Sequence, residues 1–105
     1  MNMLMKAARD GDLKALKRAL NDPQIDPNAK NEKTGLTALH IATIWNNKSC
    51  LHLLLNNSQV NDAELDNAGR KARDIALEGS NLDSVKVFSK SAVKNLVFSS
   101  KDFSR

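Results

Sequence analysis

The chain of 105 residues carries 16 basic and 12 acidic side chains, which give a formal net charge of +4 at pH 7. This length indicates one domain, and the single cysteine excludes an internal disulfide. No apolar run is long enough for a transmembrane helix, and the first residues lack the basic and long apolar regions of a secretory signal. We therefore expect an intracellular protein, cytoplasmic or nuclear.

The first two helices are predicted at residues 2–10 and 12–21. Asn2 holds the capping position of the first helix, Gly11 suits the left-handed residue that ends it, and Asp12 can cap the second. The second helix is predicted to face water through its basic side chains, Lys14, Lys17 and Arg18.

A projecting loop is predicted before the third helix. Pro23 stops the second helix, because proline cannot continue one. Asp26 to Thr34 are then predicted to form a hairpin finger that ends at Gly35. The tip of this finger is basic and polar, with Lys30, Asn31, Glu32 and Lys33.

The third helix begins in residues 35–42, which read Gly-Leu-Thr-Ala-Leu-His-Ile-Ala. Gly35 suits a tight turn with positive φ. Thr37 can accept a hydrogen bond from a backbone N–H one turn into the helix, and His40 can reach back as Glu or Gln does in a capping box. Leu39 is then predicted to begin the narrow apolar face by which this helix packs.

The same pattern returns after 34 to 35 residues. Residues 69–76 repeat the frame from Gly69 onwards, and residues 2–7 are a degraded copy. Equivalent second helices are predicted at residues 13–20, 48–55 and 82–89. The run Thr-Ala-Leu-His-Ile-Ala resembles the Thr-Pro-Leu-His-x-Ala signature of the ankyrin repeat, whose period is about 33 residues. The chain is thus similar to ankyrin repeat proteins over residues 1–89.

This resemblance implies an all-α repeat solenoid of helix-turn-helix units joined by β-hairpin fingers. The repeats are predicted at about residues 1–29, 30–62 and 63–89, the first and last of capping type. A basic C-terminal tail follows at residues 90–105, with a helix predicted to about residue 98.

The third repeat departs most from the signature. Lys71 replaces the capping threonine, Arg73 the buried leucine and Asp74 the histidine. Lys71 and Asp74, three residues apart, are predicted to replace part of the lost cap. Arg73 is acceptable at the end of the stack, because no further repeat covers it and its charged head can reach water.

No pattern points to catalysis or to a metal. The sequence lacks a nucleophile elbow, a glycine-rich phosphate loop and a paired-carboxylate arrangement. His40, Cys50 and His52 are too few and wrongly spaced for a zinc site, and Cys50 is predicted to be a buried packing residue. We therefore expect a non-enzymatic protein with no catalytic residue, metal or cofactor.

The resemblance implies a protein–protein interaction module that binds a partner in a concave groove between the fingers and the inner helices, and that is monomeric when unbound. Trp45, the single tryptophan, is predicted to be the main contact, because Trp is enriched at binding hot spots. The alternative is that Trp45 packs on the neighbouring hairpin or under the tail. The matching groove positions give the other candidates: Ile44, an exposed Leu36, Arg9, Asp10, Lys33, Asn67, Arg70 and Glu78.

Two alternatives stay open. The tail carries most of the basic excess and can bind nucleic acid or an anionic surface in a salt-dependent manner, although a lysine stripe is more often a solvated face. The residues of that hypothesis are Lys86, Lys90, Lys94, Lys101 and Arg105. The repeats can also belong to a larger ankyrin scaffold or to an effector delivered into a host cell.

Overall fold

The computed structural model describes residues 2–79 and 84–88 of the chain. This part is all-helical and contains no strand. Its helices are α1 (Met3–Asp10), α2 (Leu13–Asn21), α3 (Ala38–Ile44), α4 (Lys48–Leu55) and α5 (Ala72–Glu78). Residues 84–88, within the predicted third outer helix, are helical as well. The predicted all-α solenoid is confirmed, and turns rather than strands form the fingers of the described chain.

The predicted caps of the first unit are present. Asn2 Oδ1 accepts a hydrogen bond from Met5 N–H at 2.8 Å, and Asp12 Oδ1 accepts one from Ala15 N–H at 3.1 Å. Between them, Gly11 has a φ of +73° and ends α1. Each cap satisfies a backbone donor that has no partner within its helix.

The helices form two rows. α1, α3 and α5 pack side by side in the inner row, and α2 packs against α4 in the outer row. Each unit contributes one helix to each row, because α1 packs on α2 and α3 packs on α4. The hydrophobic face of a unit is therefore buried mainly by the next unit along the stack.

The core repeats small and leucine side chains at equivalent positions. Ala7, Ala42 and Ala76 in the inner row are at most 3% exposed, and their small side chains allow the helices to approach closely. Leu16 and Leu51 are fully buried in the outer row. Burying a leucine stabilises the folded state by about 1.5–3 kcal/mol, so these contacts hold the units together.

Two loops with the same hydrogen-bond frame connect the units. We call residues 22–36 the first finger segment and residues 57–70 the second finger segment. At three places in each segment, a side-chain oxygen accepts from the backbone N–H two residues later: Asp22, Asp26 and Asn31 in the first, and Asn57, Asn61 and Asp66 in the second. These local bonds satisfy the backbone where a strand ladder would otherwise do so.

The first finger segment is one residue longer than the second. Gly35 N–H donates to Asn31 O at 2.7 Å, four residues back, whereas Gly69 N–H donates to Asp66 O at 3.0 Å, three residues back. Gly35 and Gly69 have φ values of +74° and +77°, which favour glycine. The extra residue therefore lies in the turn itself.

The third repeat contributes α5, the last described helix of the inner row. Asp74 Oδ2 accepts from the Lys71 backbone N–H at 2.9 Å, which supplies half of a capping box. The Lys71 side chain cannot supply the other half, because an ammonium group has no acceptor. Arg73 is exposed at the position where Leu39 is buried. The predicted tail, residues 90–105, lies outside the described residues.

Candidate partner-binding surface

The signature residues fix the start of α3. His40 Nδ1 accepts a hydrogen bond from Thr37 N–H at 3.1 Å, and Thr37 Oγ1 lies 3.4 Å from His40 N as its acceptor. Both side chains are buried, as is Leu39 beside them. The predicted capping box with histidine in the place of Glu or Gln is confirmed. It orients α3, which carries the central candidate residues at its other end.

The other nitrogen of the same histidine reaches the next repeat. His40 Nε2 lies 2.9 Å from the carbonyl oxygen of Arg70. A carbonyl can only accept, so Nε2 carries the proton and Nδ1 is left free to accept from Thr37. Sequence patterns do not predict this contact between repeats, because His40 and Arg70 stand 30 residues apart in the chain.

An apolar pair is exposed at the end of α3. Ile44 is 47% exposed and Trp45 is 59% exposed. Asn46 follows with a φ of +56°, a left-handed conformation that asparagine tolerates, and turns the chain towards α4. Most of the Trp45 side chain is therefore open to solvent, although Leu39 and Ile41 of the same helix are buried.

The equivalent positions of the first repeat carry an ion pair. Arg9 Nε lies 3.0 Å from Asp10 Oδ1, and the two side chains are 39% and 44% exposed. Arg9 and Asp10 thus partly neutralise each other on one side of the apolar pair.

Arg70 and Glu78, the candidate residues at the third repeat, form an ion-pair network with Asp66. Arg70 binds Asp66 Oδ2 through Nη2 at 3.0 Å, and it reaches Glu78 Oε1 through Nη1 at 3.3 Å. Asp66 also accepts from the backbone N–H groups of Ala68 and Arg70 at 2.9 Å. Burial raises the pKa of the Asp66 carboxyl, but the hydrogen bonds and the charge of Arg70 outweigh burial, so this pKa lies below its ordinary value. Arg70 and Glu78 are therefore already paired within the protein.

Of the three remaining candidate residues, one is exposed and two make contacts within the protein. Lys33 is exposed, whereas Asn67 joins the fingers: its backbone N–H donates to Thr34 O at 3.0 Å and its Nδ2 to Lys33 O at 2.9 Å. Leu36 is half-buried, so the prediction of an exposed side chain is wrong. The reason is that Leu36 packs against the core beside the α3 cap.

Asn47 is a structural residue that sequence patterns do not reveal. Its Nδ2 donates to the carbonyls of Ala8 at 2.6 Å and Arg9 at 2.9 Å, at the end of α1. Although Asn47 occupies the N-cap position of α4, its side chain makes no capping bond to that helix. An asparagine at a helix start predicts a local cap, and only packing directs this one to the preceding repeat.

Residues 2–79 and 84–88 contain no group of three side chains that could hold a metal ion. Cys50 is buried, as predicted, whereas His52 is exposed. Burial raises the pKa of the Cys50 thiol, and the charge of Asp12 raises it further, which opposes the reactive thiolate. None of the described helices combines the length and the apolar character that a membrane span requires.

Comparison with known proteins finds a family profile and solved structures that match this architecture. A profile described as "Ankyrin repeats (3 copies)" matches residues 4–98. A solved structure of a predatory endopeptidase from Bdellovibrio bacteriovorus in complex with an immunity protein matches with a TM-score of 0.75 and 31% identity. The match covers 87% of this chain and 46% of that chain. No curated protein matches the sequence significantly.

A second structure, EF0377, an ankyrin repeat protein, matches with a TM-score of 0.72 and 27% identity. The match covers 82% of this chain and 45% of that chain, so the present chain spans less than half of either structural relative. The chain belongs to the ankyrin repeat family. Ankyrin repeats generally mediate protein–protein interactions and are typically non-catalytic.

Proposed function

We propose that this chain is a non-catalytic interaction module that binds a partner protein in the groove between the fingers and the inner helices. Trp45 is its central contact, and Ile44 extends the apolar surface. Lys33 lies towards the finger tips, and the Arg9–Asp10 and Arg70–Glu78 pairs flank the apolar residues in the neighbouring repeats.

The exposure of Trp45 carries this proposal. A tryptophan that is 59% exposed leaves a large apolar area in water, and covering it with a partner is favourable. Ile44, 47% exposed, lies next to it. Apolar centres with a polar rim are typical of binding hot spots.

The charges around this centre favour an apolar contact on the partner. Arg9 is paired with Asp10, and Arg70 with Asp66 and Glu78. A partner that relied on charge would have to break these pairs. One structural relative is a complex of an endopeptidase with an immunity protein, which is consistent with a binding role.

Affinity capture from a cell lysate tests the proposal with three proteins: wild type, Trp45→Ala and Leu13→Ala. Leu13 is the matched control, because it is an exposed apolar residue on the outer helix α2. Circular dichroism first establishes that all three are folded, and the dissociation constant is then measured for each captured partner. We expect Trp45→Ala to weaken binding by about 30-fold or more, which corresponds to roughly 2 kcal/mol, and Leu13→Ala to change it little.

Equal binding by wild type and Trp45→Ala would contradict the central role of Trp45. The alternative, nucleic-acid binding through the tail, stays a prediction, because Lys90, Lys94, Lys101 and Arg105 lie outside the described residues. Membership of a larger scaffold or a host-directed effector is likewise a prediction.

A further inference from the structure

The exposed charges on the outer helices are all of one sign. We call the solvent-exposed side of α2, α4 and the helical residues 84–88 the outer face. No acidic residue lies within these three stretches, and Asp83, just before the third, lies outside the described residues. The charged residues of the described outer face are all basic: Lys14, Lys17, Arg18, Lys48 and Lys86.

The charges elsewhere in the described chain are mixed and partly paired. Its acidic residues lie in the inner row, the finger segments and the helix caps. The ion pairs of Arg9, Lys30 and Arg70 belong to the inner row or the finger segments. Most outer cations form no ion pair with the described residues, namely Lys14, Lys17, Arg18 and Lys86. The field of the molecule therefore favours an anionic partner on the outer face.

The middle repeat shows that stacking of repeats does not cover the outer face. Lys17, His52 and Lys86 occupy equivalent positions, and Lys14 corresponds to Ser49. His52 and Ser49 are exposed although α4 belongs to a repeat with neighbours on both sides. A further repeat at either end of the stack would therefore leave these basic positions in water.

Apolar side chains lie among the outer cations. Leu13 is 37% exposed at the start of α2, and Leu53 and Leu55 of α4 are half-buried. Lysine stems are apolar too, and they let the ammonium group reach an anion at variable distance. Basic and apolar side chains on one surface suit the boundary between lipid headgroups and acyl chains. A nucleic-acid backbone would use the charges alone, and the described outer face exposes no aromatic side chain for base stacking.

We propose that the outer face binds the surface of a membrane that contains anionic lipids. Lys14, Lys17 and Lys86 contact the headgroups, and mobile anionic lipids gather beneath them. Leu13 contacts the apolar boundary below the headgroups. Because Trp45 lies at the end of an inner helix, this orientation leaves the groove open, and a partner bound there would be held beside the membrane.

Sedimentation of the full chain with lipid vesicles tests the proposal. One set of vesicles is phosphatidylcholine alone, and the other contains about one third phosphatidylserine. The test variant is Lys17→Gln with Lys86→Gln. The matched control is Lys6→Gln with Lys71→Gln, which removes the same charge from exposed lysines away from the outer face. Circular dichroism first establishes that all three proteins are folded.

We expect wild type to bind only the vesicles with phosphatidylserine, and more weakly as salt is added. The test variant should bind about 25-fold more weakly, roughly fivefold for each lysine lost, whereas the control should change by less than about twofold. This comparison also separates the outer face from the tail, because all three proteins keep the same tail.

Three results would overturn the proposal: no binding of wild type to phosphatidylserine vesicles, equal binding to both vesicle types, or equal losses in the test variant and the control. Binding of wild type to a labelled DNA duplex is measured in parallel. A duplex that binds through Lys17 and Lys86 while the vesicles do not would assign the outer face to nucleic acid instead. Trp45→Ala leaves this face unchanged, so failure of either proposal leaves the other standing.

Discussion

His40 Nε2 donates a hydrogen bond to the carbonyl oxygen of Arg70 at 2.9 Å, while His40 Nδ1 accepts from Thr37 N–H at 3.1 Å. One buried imidazole therefore caps the inner helix of its own repeat and holds the finger of the next repeat. The geometry uses both ring nitrogens and requires the neutral ring. This side chain therefore adds to the link between repeats two and three, which α3–α5 packing and the hydrogen bonds of Asn67 also make.

Replacing His40 by alanine should destabilise the protein by about 3 kcal/mol, because the buried Thr37 N–H loses its acceptor, the Arg70 carbonyl keeps only its bond from Asp66 N–H, and a cavity forms. The free energy of unfolding is measured by urea denaturation. His52→Ala is the matched control, because His52 is exposed on α4, and we expect a change below about 0.5 kcal/mol. Similar losses for the two variants would show that the His40 bonds contribute little.

The two finger glycines should respond differently to alanine. Both have positive φ, so each alanine variant carries the strain of a left-handed residue, about 1 kcal/mol. A Cβ on Gly35 would in addition lie 2.7 Å from the backbone N of Asn67, whereas a Cβ on Gly69 would meet nothing of the described chain within 4 Å. We expect losses of about 1 kcal/mol for Gly69→Ala and roughly 3 kcal/mol for Gly35→Ala in urea denaturation. Equal losses would contradict this prediction, because they would mean that Asn67 moves away from residue 35 at little cost in free energy.

Asp66 should make the free energy of unfolding depend on pH in the acidic range. Its folded-state pKa is lowered, so the unfolded state binds its proton at higher pH than the folded state does. The stabilisation by Asp66 is therefore complete above the unfolded pKa and is lost as the pH falls through the folded pKa. Urea denaturation over a series of acidic pH values should show this loss in wild type.

Asp66→Asn should be less stable than wild type near neutral pH and should lose less stability on acidification. The matched control is Asp62→Asn, which removes the same charge from an exposed side chain with no hydrogen bond among the described residues. An acid profile unchanged by Asp66→Asn would contradict the role of the Asp66–Arg70 contact.

Binding in the groove should depend only weakly on salt. The flanking charges Arg9, Asp10, Arg70 and Glu78 are paired within the protein, so the proposed binding would draw its main contribution from covering Trp45. We expect the dissociation constant of a captured partner to change less than about threefold between low and moderate salt, whereas contact with several phosphates would change it by orders of magnitude. A steep loss of affinity would favour the basic tail over the groove.

Much of the fold follows from local sequence. Asn2, Asp12 and Thr37 cap helices as predicted, because a cap requires only one side chain and the backbone three residues later. The left-handed turn at Asn46 also has a local cause. The spacing of 34 to 35 residues predicts the stack, since each unit must bury its apolar face on a neighbour.

Local sequence predicts the surroundings of the candidate site residues less well. The exposure of Trp45 agrees with its position in the repeat, but Leu36 is half-buried against the core. Repeat position predicts Arg70 and Asn67 as surface contacts, yet both already bind groups within the protein. Propensity and periodicity assign residues to helix faces, but they do not say which polar groups of neighbouring repeats satisfy one another.

The sequence by itself determined the helices, the caps at Asn2, Asp12 and Thr37, the repeat period and the family, because these follow from short local patterns and from their recurrence along the chain. The tertiary structure alone decided the bonds between repeats: His40 to Arg70, Asn47 to Ala8, and Asn28 to Asn61. The physical reason is that a hydrogen bond between distant residues depends on how the helices stack, which side-chain type alone does not specify.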